Sequence, residues 1–154
     1  MKKHKILVSR CLYGGEPVRY DGKIKEETDK IFSRWRDEGM LIPVCPEVDG
    51  GLPVPRPPAE ITVNGIINSE GTDVTGAYKA GAEIAVKRAI DEDAAFCIMK
   101  EGSPSCGSSC IYDGSFSGCK IPGEGLTVKL LREKGFKVFS EKEIKDAAEY
   151  LLHL

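Results

Sequence analysis

Short apolar segments alternate with longer segments of helical periodicity along this chain. Four apolar segments are too short for helices and predict buried strands. They are Ile6–Ser9, Met40–Val44, Ala94–Met99 and Phe136–Phe139. Helical patterns lie between and after them: Glu26–Glu38, a long helix that Asp73 or Thr75 caps and that runs to about Asp91, Leu126–Lys134, and the segment after Ser140. This alternation predicts an α/β fold with a Rossmann-like, open, mostly parallel sheet that is covered by helices.

Several local patterns add detail to this fold. Asn64-Gly65 between two β-branched runs predicts a small β-hairpin insert with a type I′ turn. Ser140 and Glu143 have the spacing of a capping box before the last helix. The glycine- and serine-rich stretch Glu101–Gly125 interrupts the regular elements, and loops of that length are usually functional or disordered. The long helix is expected to pack on the sheet through small residues. That face consists of Ala77, Ala80, Gly81, Ile84 and Ala85.

The length and charge of the chain narrow its possible functions. A chain of 154 residues is typical of one domain, so residues 1–154 are expected to form a single α/β domain. The 22 lysines and arginines nearly balance the 24 aspartates and glutamates, and a net charge of −2 argues against a nucleic-acid polymer as partner. No run reaches the ~18 apolar residues of a membrane span, and the amino-terminal apolar run is too short for a signal peptide. We therefore expect a cytoplasmic protein without a membrane partner; its oligomeric state is not indicated.

Six cysteines are the unusual feature of the composition. Cytosolic thiols are kept reduced, and spare cysteines there more often bind metal or take part in catalysis than form disulfides. Cys11 follows the first predicted strand, Cys45 follows the second, and Cys106 lies in the loop after the third. Ligand sites in an open parallel sheet form outside the carboxyl ends of the strands. If the three strands are neighbours, these three thiols converge on one site.

Several chemistries remain open for such a site. Thiolates without a helpful histidine favour an iron–sulfur cluster over catalytic zinc. Three thiolates would leave one iron of a four-iron cluster free to bind substrate, whereas a fourth would suit an electron carrier. Structural zinc on Cys106, Cys110 and Cys119 is a weaker alternative, because the common C-x2-C pairs are missing. Cys97 lies inside a strand, where a free cysteine is usually core packing.

Three motifs, each containing one of the three cysteines, are more specific. The first is Ser9-Arg10-Cys11-Leu12 followed by Arg19-Tyr20-Asp21-Gly22. The second is Cys45-Pro46-Glu47-Val48 followed by the run from Gly50 to Glu60. The third is the run from Lys100 to Gly107 followed by the run from Ile111 to Gly118. In this order they resemble the thiouracil desulfidases (thiouracil desulfurases), a bacterial family long catalogued as a domain of unknown function. The resemblance extends from about Lys5 to Glu141.

The resemblance implies a concrete chemistry. Members of this family carry a [4Fe-4S] cluster held by three cysteines, which match Cys11, Cys45 and Cys106 here. A glutamate and a serine assist proton transfer in the family, and Glu47 and Ser103 match them by motif. The implied reaction removes sulfur by hydrolysis, without net redox change, and releases hydrosulfide. The implied substrate is a small thio-heterocycle, a thiopyrimidine such as 2-thiouracil.

Other roles remain open for the polar residues of these motifs. Glu47 could instead form an ion pair with Arg56 or Arg19, and Ser103 could merely shape its loop. Four charged residues could form a buried ionic network or contact substrate. They are Arg19, Asp21, Arg56 and Glu60. The alternatives to an enzyme are a non-catalytic zinc-binding protein and an iron–sulfur electron-transfer protein. The segment between Glu60 and Asp73 is short, is closed by the hairpin, and departs from the family pattern. If this segment covers the site, substrate preference is expected to differ.

Overall fold

The computed structural model of the chain describes residues 3–154, so Met1 and Lys2 of the expected single domain lie outside it. The strands in this range are β1 (Lys5–Ser9), β2 (Leu41–Val44), β3 (Ala59–Thr62), β4 (Gly65–Asn68), β5 (Ala94–Met99), β6 (Cys110–Tyr112), β7 (Lys120–Pro122) and β8 (Val138–Ser140). The α-helices are α1 (Arg10–Tyr13), α2 (Lys30–Asp37), α3 (Pro46–Asp49), α4 (Thr75–Asp91), α5 (Leu126–Glu133) and α6 (Ile144–Leu152). None of these helices is long and apolar enough to cross a membrane.

A four-stranded parallel sheet with the order β2-β1-β5-β8 forms the centre of the fold and confirms the predicted α/β class. β1 lies between β2 and β5, with Ser9 paired to Val44 and Val8 paired to Ile98. β2 is an edge strand, which accommodates Pro43 because proline has no N–H for a second neighbour. The strands that precede the three motif cysteines therefore end side by side.

Alternate residues of the central strands face two separate helical layers, and this is why these strands are almost wholly apolar. Leu7 and Cys97 belong to the core that α4 and α5 cover. Cys97 is fully buried there, which confirms its predicted role in packing. Ile6 and Phe96 belong to the opposite core, which α2 and α6 cover.

Two elements differ from expectation for local reasons. α2 begins at Lys30 rather than at Glu26, because the Asp29 carboxylate caps the helix and accepts a hydrogen bond from the Ile31 N–H at 2.8 Å. The stretch Glu101–Gly125 contains an antiparallel pair, β6 and β7, where no regular structure was expected. Each of these strands is only 3 residues long, too short for an alternating pattern to be recognised.

The predicted β-hairpin forms from β3 and β4, but the prediction of its turn type was wrong. Thr62 pairs with Gly65, so Val63 and Asn64 occupy the turn. A type I′ turn requires a positive φ at both turn residues, and Asn64 does not have one. The positive φ, 116°, belongs to Gly65, which follows the turn. A Cβ at Gly65 would lie 2.6 Å from the Thr75 Oγ1 atom, so the start of α4 also favours glycine at this position.

The predicted buried face of α4 was partly wrong. Ala80 is exposed and Ile84 is 45% exposed, whereas Gly81 and Ala85 are buried as expected. The stripe that is buried runs one position further along the helix. It consists of Tyr78, Gly81, Ala82, Ala85, Val86 and Ala89. The helix therefore turns its one tyrosine inward, because α4 packs against α3 as well as against the sheet and α5.

Two glycines bring the backbones of α3 and α4 into direct contact. A Cβ at Gly81 would lie 1.7 Å from the Pro46 carbonyl oxygen, and a Cβ at Gly50 would lie 2.0 Å from the Ala77 carbonyl oxygen. Real Cβ atoms do not approach that closely, so neither glycine can carry a side chain without moving a helix. The contact holds the short helix α3, and with it Glu47, against α4.

We predict that Gly81→Ala lowers the free energy of unfolding by about 3 kcal/mol, because the added methyl group must push α3 away from α4. The matched control is Gly76→Ala in the same helix, where no atom lies within 4 Å of the added Cβ. Its free energy of unfolding should stay unchanged or rise by up to about 1 kcal/mol. Urea denaturation followed by circular dichroism measures both values, and equal stability of the two variants would contradict the proposed contact.

Candidate active site

A cavity of about 520 Å³ opens beyond the carboxyl ends of β1, β2 and β5, and its wall contains all three motif cysteines. Cys11 lies on α1, which begins directly after β1. Cys45 follows β2 and precedes α3. Cys106 lies in the loop after β5 and is buried, whereas the other two are partly exposed. The structure therefore brings together the three thiols that the strand pattern indicated.

The electrostatics of the three thiols show that they interact. Burial, and after it the nearby Cys45, raise the pKa of Cys11 to about 12. Burial raises the pKa of Cys45 as well. The pKa of Cys106 lies well above its ordinary value, first because of burial and then because of Cys11 and Cys45. Three thiolates at this place repel one another and need positive charge between them.

The Ser9 hydroxyl lies at the carboxyl end of β1. It accepts a hydrogen bond from the Lys100 N–H at 2.8 Å and lies 3.8 Å from the Met99 Sδ atom. Its interaction with Cys106 opposes part of the rise in the pKa of that thiol. Sequence reasoning placed Ser9 in a motif but assigned it no role.

Glu47 is the polar centre of the cavity and binds partners from three other segments. Its Oε1 atom accepts hydrogen bonds from Arg56 Nε at 3.2 Å and from the Tyr78 hydroxyl at 2.6 Å. Its Oε2 atom accepts a longer hydrogen bond from the Ser103 hydroxyl at 3.4 Å. The ion pair with Arg56 is inside the cavity wall rather than on the surface, with side chains 6% and 17% exposed for Arg56 and Glu47.

Ser103 combines the two roles that the motif left open. Its hydroxyl oxygen accepts hydrogen bonds from the N–H groups of Ser105 and Cys106, both at 3.0 Å, and so shapes the loop around Cys106. The same hydroxyl can donate its proton to Glu47. The loop function and the contact with the carboxylate are therefore compatible.

Glu101 organises the loop that contains Cys106, and sequence reasoning missed it. Its Oε1 atom accepts hydrogen bonds from the N–H groups of Ser108, Ser109 and Cys110 at 2.8, 3.0 and 3.1 Å. Its Oε2 atom accepts from the two serine hydroxyls at 3.0 and 2.8 Å. Burial alone would raise the pKa of Glu101, but these hydrogen bonds together lower it to about 2. The sequence pattern that could have indicated this role of Glu101 is the Ser108-Ser109 pair, which begins seven residues after it.

The expected ionic network of four charged residues does not form as one unit. Arg19 pairs with Asp21 at 3.2 Å, and Arg56 pairs with Glu47. Glu60 is buried and binds no arginine in the structure; its Oε1 atom accepts hydrogen bonds from the N–H groups of Gly114 and Phe116 at 3.0 and 3.2 Å. The four residues separate because Glu60 lies on β3, next to β6, and its carboxylate accepts hydrogen bonds from the loop that follows β6.

The alternative zinc triad is not assembled. Cys110 lies on β6 opposite Pro122, and Cys119 is exposed just before β7. Within residues 3–154, no three histidine, cysteine, aspartate or glutamate side chains, those of Cys11, Cys45 and Cys106 included, are grouped closely enough to hold one metal ion. Cys106 lies in the same cavity wall as Cys11 and Cys45, and that wall includes neither Cys110 nor Cys119.

Comparison with known proteins agrees with this geometry. The model of the 2-thiouracil desulfurase family matches residues 6–143. The chain belongs to the 2-thiouracil desulfurase family. The solved structure of a [4Fe-4S]-dependent thiouracil desulfidase, TudS, matches 99% of this chain and 100% of its own with a TM-score of 0.95 and 45% sequence identity. The uncharacterized protein YbbK of Bacillus subtilis (strain 168) is 44% identical over 153 residues, which cover 92% of this chain and 98% of YbbK.

Family membership confirms the resemblance that the three motifs indicated, and it confirms that the chain is an enzyme. The same match confirms the fold class, because the solved relative shares nearly the whole backbone arrangement.

We predict that Glu101→Gln destabilises the protein at neutral pH, because the amide cannot accept all the hydrogen bonds that the carboxylate accepts. The folded pKa of about 2 lies below the ordinary value of 4.5, so the ionised carboxylate stabilises the fold fully above pH 4.5 and loses this effect as the pH falls towards 2. The difference in free energy of unfolding between wild type and variant should shrink over the same range.

The matched control for that prediction is Glu133→Gln, at an exposed position on α5. Urea denaturation at a series of pH values measures all three proteins. A pH-independent difference between wild type and Glu101→Gln, or an equal effect of Glu133→Gln, would contradict the role assigned to Glu101.

Proposed function

We propose that this protein hydrolytically removes sulfur from a thiopyrimidine such as 2-thiouracil, with a [4Fe-4S] cluster held by Cys11, Cys45 and Cys106. The observation that carries the proposal is that thiols from three adjacent strand ends line one cavity beside a partly buried carboxylate, Glu47. The solved relative of 45% identity is itself described as a [4Fe-4S]-dependent thiouracil desulfidase.

The donor set around the cavity fits such a cluster. The three thiols are soft ligands, and His4 lines a different cavity, which Lys3, Lys5 and residues 91–93 also form. Each cysteine of a cluster binds its own iron atom, so its ligands surround a volume instead of meeting at one point. The mutual repulsion of the three thiolates is the electrostatic reason for binding cationic iron here.

Three protein ligands leave one iron without a cysteine. When bound, the cluster supplies a Lewis-acidic iron that can take the sulfur of the substrate and make the adjacent ring carbon more electrophilic. The overall reaction forms a carbon–oxygen bond from water and breaks the carbon–sulfur bond, whose electron pair leaves on hydrosulfide. No electron is gained or lost in sum.

Glu47 is the group that we assign to accept the proton of the attacking water. Its Oε1 atom already accepts hydrogen bonds from Arg56 and Tyr78, so Oε2 is the oxygen with capacity for a further proton. A carboxylate within hydrogen-bond reach of a bound water is a general base. Ser103 bonds to Oε2 and lies on the cavity wall, where its hydroxyl can pass a proton between this oxygen and the substrate.

The same proposal places the protein in the cytoplasm and gives it a small heterocycle as partner. All six cysteines are free thiols, a state that a reducing compartment maintains. The net charge of −2 suits a small uncharged ring better than a nucleic-acid polymer.

We predict that Cys11→Ala, Cys45→Ala and Cys106→Ala each lose most of the iron taken up on anaerobic reconstitution, together with the broad absorbance near about 400 nm. Sulfide release from 2-thiouracil should disappear with it. The matched control is Cys119→Ala, because that thiol is exposed and outside the cavity. Full iron content in the three cavity variants would refute the ligand assignment. A loaded protein that releases no sulfide from 2-thiouracil would instead favour an electron-transfer protein.

We predict that Glu47→Gln lowers kcat for sulfide release by on the order of 10²- to 10⁴-fold, because the amide cannot accept a proton from water. Iron content should match that of the wild type. Glu83→Gln, at an exposed position on α4, is the control and should keep the wild-type kcat. Steady-state kinetics with a colorimetric sulfide assay decide the question, and near-normal kcat in Glu47→Gln would remove Glu47 from the mechanism.

A further inference from the structure

Tyr78 is a buried tyrosine whose hydroxyl reaches the candidate active site from the long helix α4. We propose that Tyr78 is a positioning residue: together with Arg56 it holds Oε1 of Glu47 and thereby leaves Oε2 facing Ser103 and the substrate. This inference rests on the proposed function of Glu47 and extends it to a residue outside the three cysteine motifs.

A short hydrogen bond joins Tyr78 to Glu47. The Tyr78 hydroxyl donates to Glu47 Oε1 at 2.6 Å, which is short and typical of a neutral donor on a charged acceptor. The Tyr78 side chain is 1% exposed, and a buried hydroxyl must have a partner. Burial and the charge of Glu47 both raise the pKa of Tyr78, so the phenol keeps its proton and acts only as a donor.

Arg56 alone does not fix the carboxylate of Glu47. Only its Nε atom contacts Glu47, at 3.2 Å, while its other nitrogens donate to the carbonyl oxygens of Pro53 and Val18. A single N–H leaves the carboxylate free to rotate, because the terminal torsion of glutamate has a broad energy profile. A second donor from another direction on the same oxygen restricts that rotation.

The fold maintains the distance between Tyr78 and Glu47. Tyr78 lies one turn before Gly81, and Glu47 follows Pro46, whose carbonyl oxygen touches Gly81. The backbone contact of α3 and α4 is therefore adjacent to the hydrogen bond. Positioning by such a rigid contact is what a general base requires, since small displacements at a reacting centre cost large factors in rate.

The test compares Tyr78→Phe with wild type as cluster-loaded full-length proteins. We expect kcat for sulfide release from 2-thiouracil to fall by about 10- to 100-fold, with KM changed by less than about threefold and iron content unchanged. Tyr150→Phe is the matched control, because Tyr150 packs against Phe96 and Phe139 in the opposite core. It should keep the wild-type kcat.

A double-mutant cycle separates positioning from a merely structural role. If Tyr78 acts through Glu47, Tyr78→Phe should change kcat by less than about twofold in a Glu47→Gln background. If the rate of Glu47→Gln is below detection, Glu47→Asp replaces it as the background, because the shorter side chain withdraws the carboxylate from Tyr78. Equal losses in both backgrounds, or no loss in the wild-type background, would overturn the inference.

Infrared spectroscopy supplies a readout that needs no turnover. Subtracting the spectrum of loaded Glu47→Gln from that of loaded wild type isolates the carboxylate stretching bands of Glu47. These bands should shift in Tyr78→Phe and stay in place in Tyr150→Phe; unshifted bands in Tyr78→Phe would overturn the inference. Wild type that releases no sulfide from 2-thiouracil would count against the proposed function, and the infrared result would still decide the contact.

Discussion

The parallel pairing of β1 with β2 on one side and β5 on the other is the constraint on which the rest of this structure depends. Parallel strands end at the same edge of a sheet, so the segments that follow them must share the space beyond that edge. Here the three segments deliver Cys11, Cys45 and Cys106 to one cavity, although they lie far apart in the chain. The three thiols are thus positioned by backbone hydrogen bonds in the centre of the fold.

Placing thiols and a carboxylate in a partly buried cavity is costly unless each polar group has a partner. Glu47 meets this requirement with three donors, and Ser9 opposes part of the rise in the pKa of Cys106. Arg36 Nε is the buried side-chain nitrogen or oxygen without a hydrogen-bond partner within residues 3–154, and it lies on α2, away from the cavity wall. The site is therefore organised before any substrate enters, which reduces the reorganisation that a reaction would otherwise demand.

Two further carboxylates shape the loops around the cavity, and neither depends on an arginine partner. Glu101 gathers the N–H groups of the segment after Cys106, and Glu60 holds the Gly114–Phe116 turn from β3. Phe116 has a positive φ of 57°, which a non-glycine residue adopts only at some cost, and its N–H is one of the groups that Glu60 binds. Charge-assisted hydrogen bonds of this kind stabilise irregular chain that apolar packing alone could not order.

Local pattern was sufficient for much of this molecule. Apolar run length and helical periodicity identified the four strands of the central sheet and the helices α2, α4, α5 and α6, and the capping box at Ser140 and Glu143 forms as its spacing indicated. The motifs marked the three cysteines, Glu47 and Ser103, because each of these residues can be recognised from the residues adjacent to it in the chain. Where the pattern was weak, as in the 3-residue strands β6 and β7, the sequence did not indicate regular structure.

Contacts between distant segments were decided only in the folded chain. In the sequence Tyr78 is an ordinary helical residue. In the folded chain the backbones of α3 and α4 are in contact at Gly50 and Gly81, and this contact brings the Tyr78 hydroxyl to Glu47. The partners of Glu60 likewise lie more than 50 residues further along the chain. Short-range propensities act over a few residues, whereas these contacts depend on the relative placement of whole elements, which only tertiary packing determines.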